Sequence, residues 1–221
     1  MKLIKPSVEI LSIFEGDKAL NLIEHAGRTC YKSEDKITED SNKAFVQKIN
    51  KMGHTSVLEH SAVTVRFICD RGISHEIVRH RLCSLSQEST RFCNYKGGVT
   101  FIIPPWVDIE PGDYNFAFPS TGQHVTRPNW VWYRAMLSAE QSYKDLLVKG
   151  WSPQQGRSVL PNSLKTEIVM TCNFREMLHI LELRCSKAAH PQIREVMIPL
   201  LKDLHVEIPV LLDELYERYI G

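Results

Sequence analysis

Residues 62–92 read AVTVRFICDRGISHEIVRHRLCSLSQESTRF, and two kinds of apolar spacing meet within them. Apolar and polar residues alternate over residues 62–69, which predicts a strand with one buried face. Residues 70–72 predict a turn, and the apolar spacing that follows predicts a short helix from residue 73 to about residue 82. A polar segment rich in hydroxyl and amide side chains comes after this helix.

The rest of the chain carries further strand and helix patterns, and these do not alternate strictly. The predicted elements are strands at residues 6–14 and 164–172 and helices at residues 17–31, 39–52, 129–149 and 173–185, the last with Asn173 as its N-cap. A final helical pattern contains Pro199 and Pro209, which predict kinks or a break. We therefore expect an α+β fold, with a small mixed or antiparallel sheet packed by several helices, as one domain over residues 1–221.

The composition argues against several classes of protein. The formal net charge is +1, so the chain has no overall field that would hold a nucleic-acid polymer. No apolar run approaches the roughly 20 residues of a membrane span, and the first residues lack the pattern of a signal peptide. The six cysteines form no CxxC pair, which predicts a reduced, cytoplasmic location.

Residues 93–128 are the longest stretch without a regular pattern. They contain five prolines and four glycines, which leave no room for a long helix or strand. Ordered loops of this length are uncommon, and those that occur are usually lids or binding loops. We therefore predict that residues 93–128 are an insertion that lies over the site as a lid.

The polar segment after the predicted helix has the residue types of a nucleotide site. On a helix, Glu76, Arg79 and His80 would share one face. Arg91 and the hydroxyl and amide side chains of residues 84–90 suit a phosphate group and a polar heterocycle. The chain has no GxGxxG and no GxxxxGK[ST] motif, so a nucleotide cofactor would need another kind of site. A solvated basic helix followed by a serine-rich turn is the alternative explanation.

The order of residues in this segment resembles that of a known enzyme family. Arg79-His80-Arg81, followed by seven residues and Ser89, matches the signature of the flavin-dependent thymidylate synthases. Further segments resemble this family in the same order, and they are Gly53-His54 with Ser56 and Glu59-His60, Arg157 with Val159-Leu160-Pro161, Asn173-Phe174-Arg175, Leu183-Arg184 and His190-Pro191-Gln192. The chain departs from the common family pattern at Ser86-Gln87-Glu88, where asparagine often precedes the glutamate, at Phe92 and at His179.

The resemblance implies a reaction, its cofactors and an assembly. dUMP, 5,10-methylenetetrahydrofolate and NADPH would give dTMP, tetrahydrofolate and NADP, with FAD as the hydride carrier. The family resemblance also implies a homotetramer with active sites between subunits, in which Asn173, Arg175 and His179 come from another subunit.

The resemblance further implies the site residues. Those implied for FAD are Ser56, Arg79, His80, Arg81, Gln87, Asn173, Phe174, Arg175 and His179. Those implied for dUMP are Glu76, Ile77, Val78, Arg79, Gln87, Glu88, Ser89, Thr90, Arg91, Arg157 and Arg184. Within the second group, Arg91 and Arg157 would bind the phosphate, and Arg184 would act catalytically at the pyrimidine edge.

Three alternatives use the same part of the chain differently. The histidines and cysteines within residues 54–93 lack the tight spacing of a structural zinc site, so no metal is predicted. Cys83 or Cys93 could be a nucleophile, but neither has an obvious partner base by sequence, and a structural role is favoured. The third alternative is a small RNA-binding module that reads bases with the arginines of residues 79–91. The near-neutral net charge and the lack of RNA-binding motifs argue against this alternative.

Overall fold

The computed structural model describes residues 1–12, 15–115 and 127–221, and within them the fold is α+β, as predicted. The strands are β1 (Lys2–Ile4), β2 (Ser7–Ile10), β3 (Ala62–Asp70), β4 (Cys83–Gln87), β5 (Thr100–Ile102), β6 (Gly112–Asp113) and β7 (Lys165–Asn173). The α-helices are α1 (Gly16–Tyr31), α2 (Ser41–Lys51), α3 (Arg71–Ile77), α4 (Arg127–Val148), α5 (Pro153–Gly156), α6 (Phe174–Cys185), α7 (Pro191–Glu207) and α8 (Pro209–Tyr219). Short 3₁₀ helices lie at Glu34–Lys36, Thr55–His60 and Arg157–Val159.

The described strands form two small sheets. In the first sheet the order is β5-β1-β6, with β1 parallel to β5 and antiparallel to β6. The second sheet has the order β2-β3-β7-β4. The first sheet is mixed, as predicted, but its strands were not predicted individually. They have only two or three residues each, too few to show a period of two.

The longer elements match the predictions from the sequence. Helices α1, α2, α4 and α6 and strand β7 all lie within two residues of their predicted bounds. The apolar residues of β3 are buried on alternate positions, as the alternating pattern predicts. Gly53 and Gly150 follow α2 and α4 with φ of 74° and 89°, the left-handed conformation that often ends a helix. The strand predicted over residues 6–14 is shorter, since β2 ends at Ile10, and residues 13 and 14 lie outside the described part.

The described chain divides into two compact units. The first unit contains residues 1–7, 67–79 and 86–168, and the second contains residues 8–66, 80–85 and 169–221. Strands β3 and β7 contribute residues to both units. In the second unit, α6, α7 and α8 pack against one another, and α1 packs against α2. The single domain over residues 1–221 stays a prediction.

Residues 93–115, which lie within the predicted insertion or lid, include several buried apolar side chains. Val99, Phe101 and Ile103 are fully buried, and Val107 and Ile109 are at most 6% exposed. These five side chains belong to the apolar core of the first unit, together with residues of α4. Residues 99–109 thus contribute to this core, and the insertion or lid over residues 93–128 stays a prediction. Residues 116–126, also within the predicted lid, lie outside the described residues.

The helix predicted over residues 73 to about 82 is wrong in extent. It ends at Ile77, a turn follows at Val78 and Arg79, and residues 83–87 form strand β4, which the sequence analysis did not predict. The helical face predicted for Glu76, Arg79 and His80 therefore does not exist. Strand β4 obtains its backbone hydrogen bonds from β7, which lies about 80 residues away in the sequence. Local spacing cannot reveal such a partner.

The C-terminal prolines produce one break. Helix α7 continues through Pro199 and ends at Glu207, and α8 begins at Pro209. Proline suits the first position of a helix because its missing N–H would have had no partner there. The predicted break is thus confirmed at Pro209. Within the three described ranges, we find no helix with both the length and the apolar character that crossing a membrane requires.

Gly16 begins α1 at a point where the end of α7 comes close. A Cβ at this position would lie 1.9 Å from the backbone oxygen of Glu207, an atom that cannot rotate away. Gly16→Ala should therefore lower the free energy of unfolding by about 1–3 kcal/mol, as measured by urea denaturation. The control is Gly97→Ala, where nothing lies within 4 Å of an added Cβ and a change below about 0.5 kcal/mol is expected. Equal stability of Gly16→Ala and wild type would contradict the close approach.

Candidate active site

Gln87, at the end of β4, is held by two hydroxyl groups of the first unit. Its Nε2 donates to Ser74 Oγ at 2.9 Å and to Thr166 Oγ1 at 3.2 Å. Ser74 lies on α3, is fully buried, and donates its own proton to the carbonyl oxygen of Arg71. These contacts fix the amide of Gln87, which the sequence predicts as a ligand contact. The sequence analysis did not identify Ser74 or Thr166 as partners of Gln87. Thr166 comes from the distant strand β7, and Ser74 comes from α3, 13 residues before Gln87.

Glu88 is the centre of a polar cluster in the first unit. Its carboxylate accepts from Tyr95 Oη at 2.7 Å and from Lys165 Nζ at 3.0 Å. Lys165 also pairs with Glu167. Burial opposes the charge of Lys165, but its contacts with Glu167 and Glu88 outweigh burial and raise the pKa of Lys165. Burial and the neighbouring Glu88 raise the pKa of Tyr95, so its hydroxyl stays protonated as a donor. The carboxylate of Glu88 is therefore held by two protein donors.

The residues after Glu88 form a tight turn with two exposed arginines near it. Ser89 Oγ accepts from the backbone N of Arg91 at 3.3 Å, and the carbonyl oxygen of Ser89 accepts from the backbone N of Cys93 at 2.9 Å. Arg157 Nη1 donates to Thr90 Oγ1 at 3.1 Å. Arg91 and Arg157 are both exposed. The structure therefore brings Thr90 and Arg157 into contact and leaves two guanidinium groups accessible to an anion.

The four predicted dUMP residues at the end of α3 differ in exposure. Ile77 is fully buried, so only its backbone can meet a ligand. Val78 is 38% exposed, Arg79 is exposed and Glu76 is half-buried. The backbone N of Arg79 donates to the carbonyl oxygen of Glu76 at 3.2 Å, which closes the turn after the helix.

In the second unit, the motif histidine lies against the end of α6. Arg184 Nε donates to His80 Nε2 at 3.0 Å. On the other side of the imidazole, Nδ1 of His80 lies 3.5 Å from Glu176 Oε1. The ring of His179 lies edge-on to that of His80, with 6.1 Å between the centroids. The structure thus joins His80, His179 and Arg184, which the sequence assigned to two different ligands, and adds Glu176, which the sequence analysis missed.

His80 is a neutral imidazole at physiological pH. Burial, the Arg184 guanidinium and His179 together lower the pKa of His80 to about 4. The largest of these causes is burial, and only 5% of the residue is exposed. A neutral imidazole can accept a hydrogen bond on one nitrogen, which the contact with Arg184 requires.

This cluster also has the spacing of a metal site. Among the described residues, His80, Glu176 and His179 offer ligand atoms that all lie within 4.8 Å of one another. Nε2 of His80, however, already accepts from Arg184, and a guanidinium beside the cluster repels a second cation. The arrangement therefore favours a hydrogen-bonded cluster over a metal centre.

The remaining residues predicted for FAD that lie in the second unit differ in exposure. Ser56, Arg81 and Arg175 are exposed, and Arg175 Nη1 also donates to Glu59 Oε1 at 2.5 Å. The exposed side chains supply hydroxyl and cationic donors of the kind that a phosphate-containing cofactor needs. Phe174 is fully buried, so its side chain belongs to the core.

Asn173 has the structural role that the sequence predicted. Its Oδ1 accepts from the backbone N of Glu176 at 2.9 Å, which caps the first turn of α6. Cys83, weighed as a nucleophile, interacts with the thiol of Cys172. That interaction lowers the pKa of Cys83 and raises the pKa of Cys172. The thiol of Cys172 is therefore the main neighbour of Cys83, and the nearby carboxylate of Glu176 opposes the thiolate by raising the pKa of Cys83.

A cavity of about 480 Å³ also lies between α1 and α2 in the second unit. Phe45 and Ile49 are among its apolar lining residues, and Arg28 and Lys48 contribute positive charge. His54, from the motif before β3, lines the same cavity. Sequence reasoning missed this cavity, because its lining residues are ordinary amphipathic positions of two helices.

Comparison with known proteins identifies the family. Residues 13–210 match the family model described as thymidylate synthase complementing protein. A flavin-dependent thymidylate synthase of Corynebacterium glutamicum is 36% identical over 213 residues, which cover 91% of this chain and 81% of that protein. A flavin-dependent thymidylate synthase of Geobacter sulfurreducens is 32% identical over 185 residues, 80% of this chain and 73% of that protein.

A solved structure is similar along nearly the whole chain. The UMP/dUMP methylase PolB from Streptomyces cacaoi, bound with 5-Br dUMP, superposes with a TM-score of 0.76 at 26% identity. The superposition covers 99% of this chain and 98% of that chain. The sequence relatives, the family model and this structure agree with the motif of residues 79–89, and the chain belongs to the flavin-dependent thymidylate synthase family.

Proposed function

We propose that this protein reductively methylates dUMP to dTMP, with 5,10-methylenetetrahydrofolate as the carbon donor and NADPH as the reductant through FAD. The observation that carries the proposal is the contact of His80, the histidine of the family motif, with Arg184 at 3.0 Å. This contact places the guanidinium of Arg184 beside the motif of residues 79–89. A guanidinium can donate hydrogen bonds to the polar edge of a pyrimidine. Family membership also favours this enzyme over the RNA-binding alternative.

The nucleotide phosphate is bound, in this proposal, by Arg91 and Arg157. Both guanidinium groups are exposed, and the contact of Arg157 with Thr90 holds one of them in place. Ser89 and Gln87 then contact the pyrimidine as hydrogen-bonding groups. A relative with 26% identity, the methylase PolB, was solved with 5-Br dUMP bound, which supports a pyrimidine nucleotide as the substrate.

FAD is held by the exposed side chains around the motif. Arg79, Arg81 and Arg175 supply positive charge, and Ser56 and His179 supply polar groups. This donor set fits the pyrophosphate and polar ring edge of a dinucleotide. When bound, FAD supplies the hydride chemistry.

Arg184 is the residue that we propose acts on the uracil. The N3 position of uracil is a weak acid, and a guanidinium beside it favours the anionic form. Negative charge in the ring makes C5 more electron-rich and readier to bond to the incoming carbon. Arginine remains charged even where solvent is scarce, and His80, neutral at physiological pH, adds no second positive charge.

The assembly proposed for this chain is a homotetramer with active sites between subunits. In that assembly, Asn173, Arg175 and His179 complete the flavin site of another subunit. Support for a cytoplasmic location comes from the cysteines, all six of which are free thiols in the structure.

His80→Ala or Arg81→Ala should weaken FAD binding by about tenfold, since Arg81 is an exposed cation and His80 packs against His179, one of the proposed FAD residues. Binding of dUMP should change much less, because other residues contact the nucleotide. Flavin fluorescence titration and equilibrium dialysis with dUMP measure the two affinities. A larger loss for dUMP than for FAD would refute this division of roles.

Arg184→Lys should preserve the fold and the bound flavin, while dTMP formation falls by about a hundredfold, as for the loss of a transition-state contact. Lysine lacks the planar pair of donors that a guanidinium offers. Turnover of dUMP and the flavin absorbance spectrum are measured together. The matched control is Arg218→Lys in α8, whose guanidinium pairs with Glu182 and Glu214 at the surface, and its turnover should equal that of wild type. Normal turnover in Arg184→Lys would leave Arg184 only as a favourable charge at the end of α6.

A further inference from the structure

Glu176 is a buried carboxylate that the proposed function does not use. It lies in the first turn of α6 and is 8% exposed. Its Oε1 lies 3.5 Å from Nδ1 of His80, which is itself 5% exposed. Burying a carboxylate without a partner costs free energy. The position of Glu176 beside the imidazole of His80 therefore indicates that the two side chains interact.

The direction of each hydrogen bond follows from the donor inventory. A guanidinium can only donate, so the contact between Arg184 Nε and His80 Nε2 makes Nε2 the acceptor. In a neutral imidazole the proton then resides on Nδ1. Nδ1 faces Glu176 Oε1, and a carboxylate accepts from an N–H. The Arg184–His80 contact is a hydrogen bond, and the Nδ1–H that it implies points the same donor-to-acceptor direction toward Glu176 Oε1, which lies 3.5 Å away.

The geometry along α6 explains why a histidine is needed between the two charged groups. Glu176 is in the first turn and Arg184 in the last turn. At 1.5 Å per residue they are separated by about 12 Å along the helix axis, too far for a direct ion pair. His80 comes from another segment of the second unit and contacts both of them.

We propose that Glu176 is a positioning residue, which holds His80 in the Nδ1–H tautomer and thereby orients the guanidinium of Arg184. The inference rests on the proposed role of Arg184 at the uracil. A neutral His80 is consistent with it, because a charged imidazole has no lone pair to offer Arg184. The competing explanation is that Glu176 only supplies negative charge to the first turn of α6.

Two substitutions separate these explanations. Glu176→Gln keeps an oxygen that can accept from Nδ1–H, whereas Glu176→Met keeps the approximate volume and removes the acceptor. Both remove the negative charge, so a role in the helix dipole alone predicts equal effects. With saturating FAD, we expect kcat for dTMP formation to fall about tenfold in Glu176→Met and less than about threefold in Glu176→Gln. Reduction of the flavin by NADPH without dUMP should stay within about twofold of wild type in both variants.

Glu182→Met is the matched control on the same helix. Glu182 is exposed and pairs with Arg218 at 3.0 Å, so its loss should leave kcat unchanged. A double-mutant cycle then tests the route of the effect. If Glu176 acts through Arg184, adding Glu176→Met to Arg184→Lys should cause little further loss of kcat. Equal loss in Glu176→Met and Glu176→Gln, or full additivity with Arg184→Lys, would overturn the proposal.

A measurement that does not depend on turnover keeps this inference separate from the proposed function. The ¹⁵N shifts of the histidine rings report which nitrogen is protonated, and the His80 signals are assigned by their loss in His80→Gln. Wild type should show the Nδ1–H tautomer, and Glu176→Met should show a shift toward Nε2–H. If His80 in wild type has the Nε2–H tautomer, the positioning role of Glu176 is refuted, and the proposed reaction is not affected. Normal turnover of Arg184→Lys would instead contradict the proposed reaction, whatever the tautomer.

Discussion

The hydrogen bond between Arg184 and His80 constrains the chemistry of the second unit more than any other contact described for it. Because the guanidinium can only donate, the histidine must present a lone pair and therefore stay neutral. Burial and the adjacent cation both act in that direction, and together with His179 they lower the pKa of His80 to about 4. The histidine of the motif is thus suited to accept a hydrogen bond and not to act as a cation or as an acid near neutral pH.

The polar groups of the first unit are of two kinds, those with protein partners and those exposed at the surface. Those that are buried or half-buried, such as Gln87 and Glu88, have protein partners at hydrogen-bonding distance. The guanidinium groups of Arg91 and Arg157 lie at the surface instead. Partnered polar groups give a rigid frame because an unsatisfied group would cost free energy. Exposed cations keep the capacity to bind an anion, so a rigid frame that carries accessible charge is a suitable place for a nucleotide phosphate.

Residues 99–109 show how composition can mislead. Prolines and glycines nearby suggest a surface loop, yet Val99, Phe101 and Ile103 are fully buried. Strand β5, only three residues long, pairs with β1, which begins at Lys2, about 100 residues earlier in the sequence. A strand this short repeats its alternating pattern too few times to be recognised, yet it can fill a core because long-range pairing supplies its backbone partners.

The sequence by itself determined the long elements and the family. Periodicity predicted α1, α2, α4, α6 and β7 to within two residues, because an amphipathic element repeats its pattern several times. The order of residues 79–89 indicated the enzyme family, which the relatives confirm. Only the tertiary structure decided the rest. These decisions include the short strands, the early end of α3, the contact of Gln87 with Thr166 and the contact of Glu176 with His80. They depend on groups that lie far apart in the sequence. No local pattern encodes which distant group will satisfy a buried donor or acceptor.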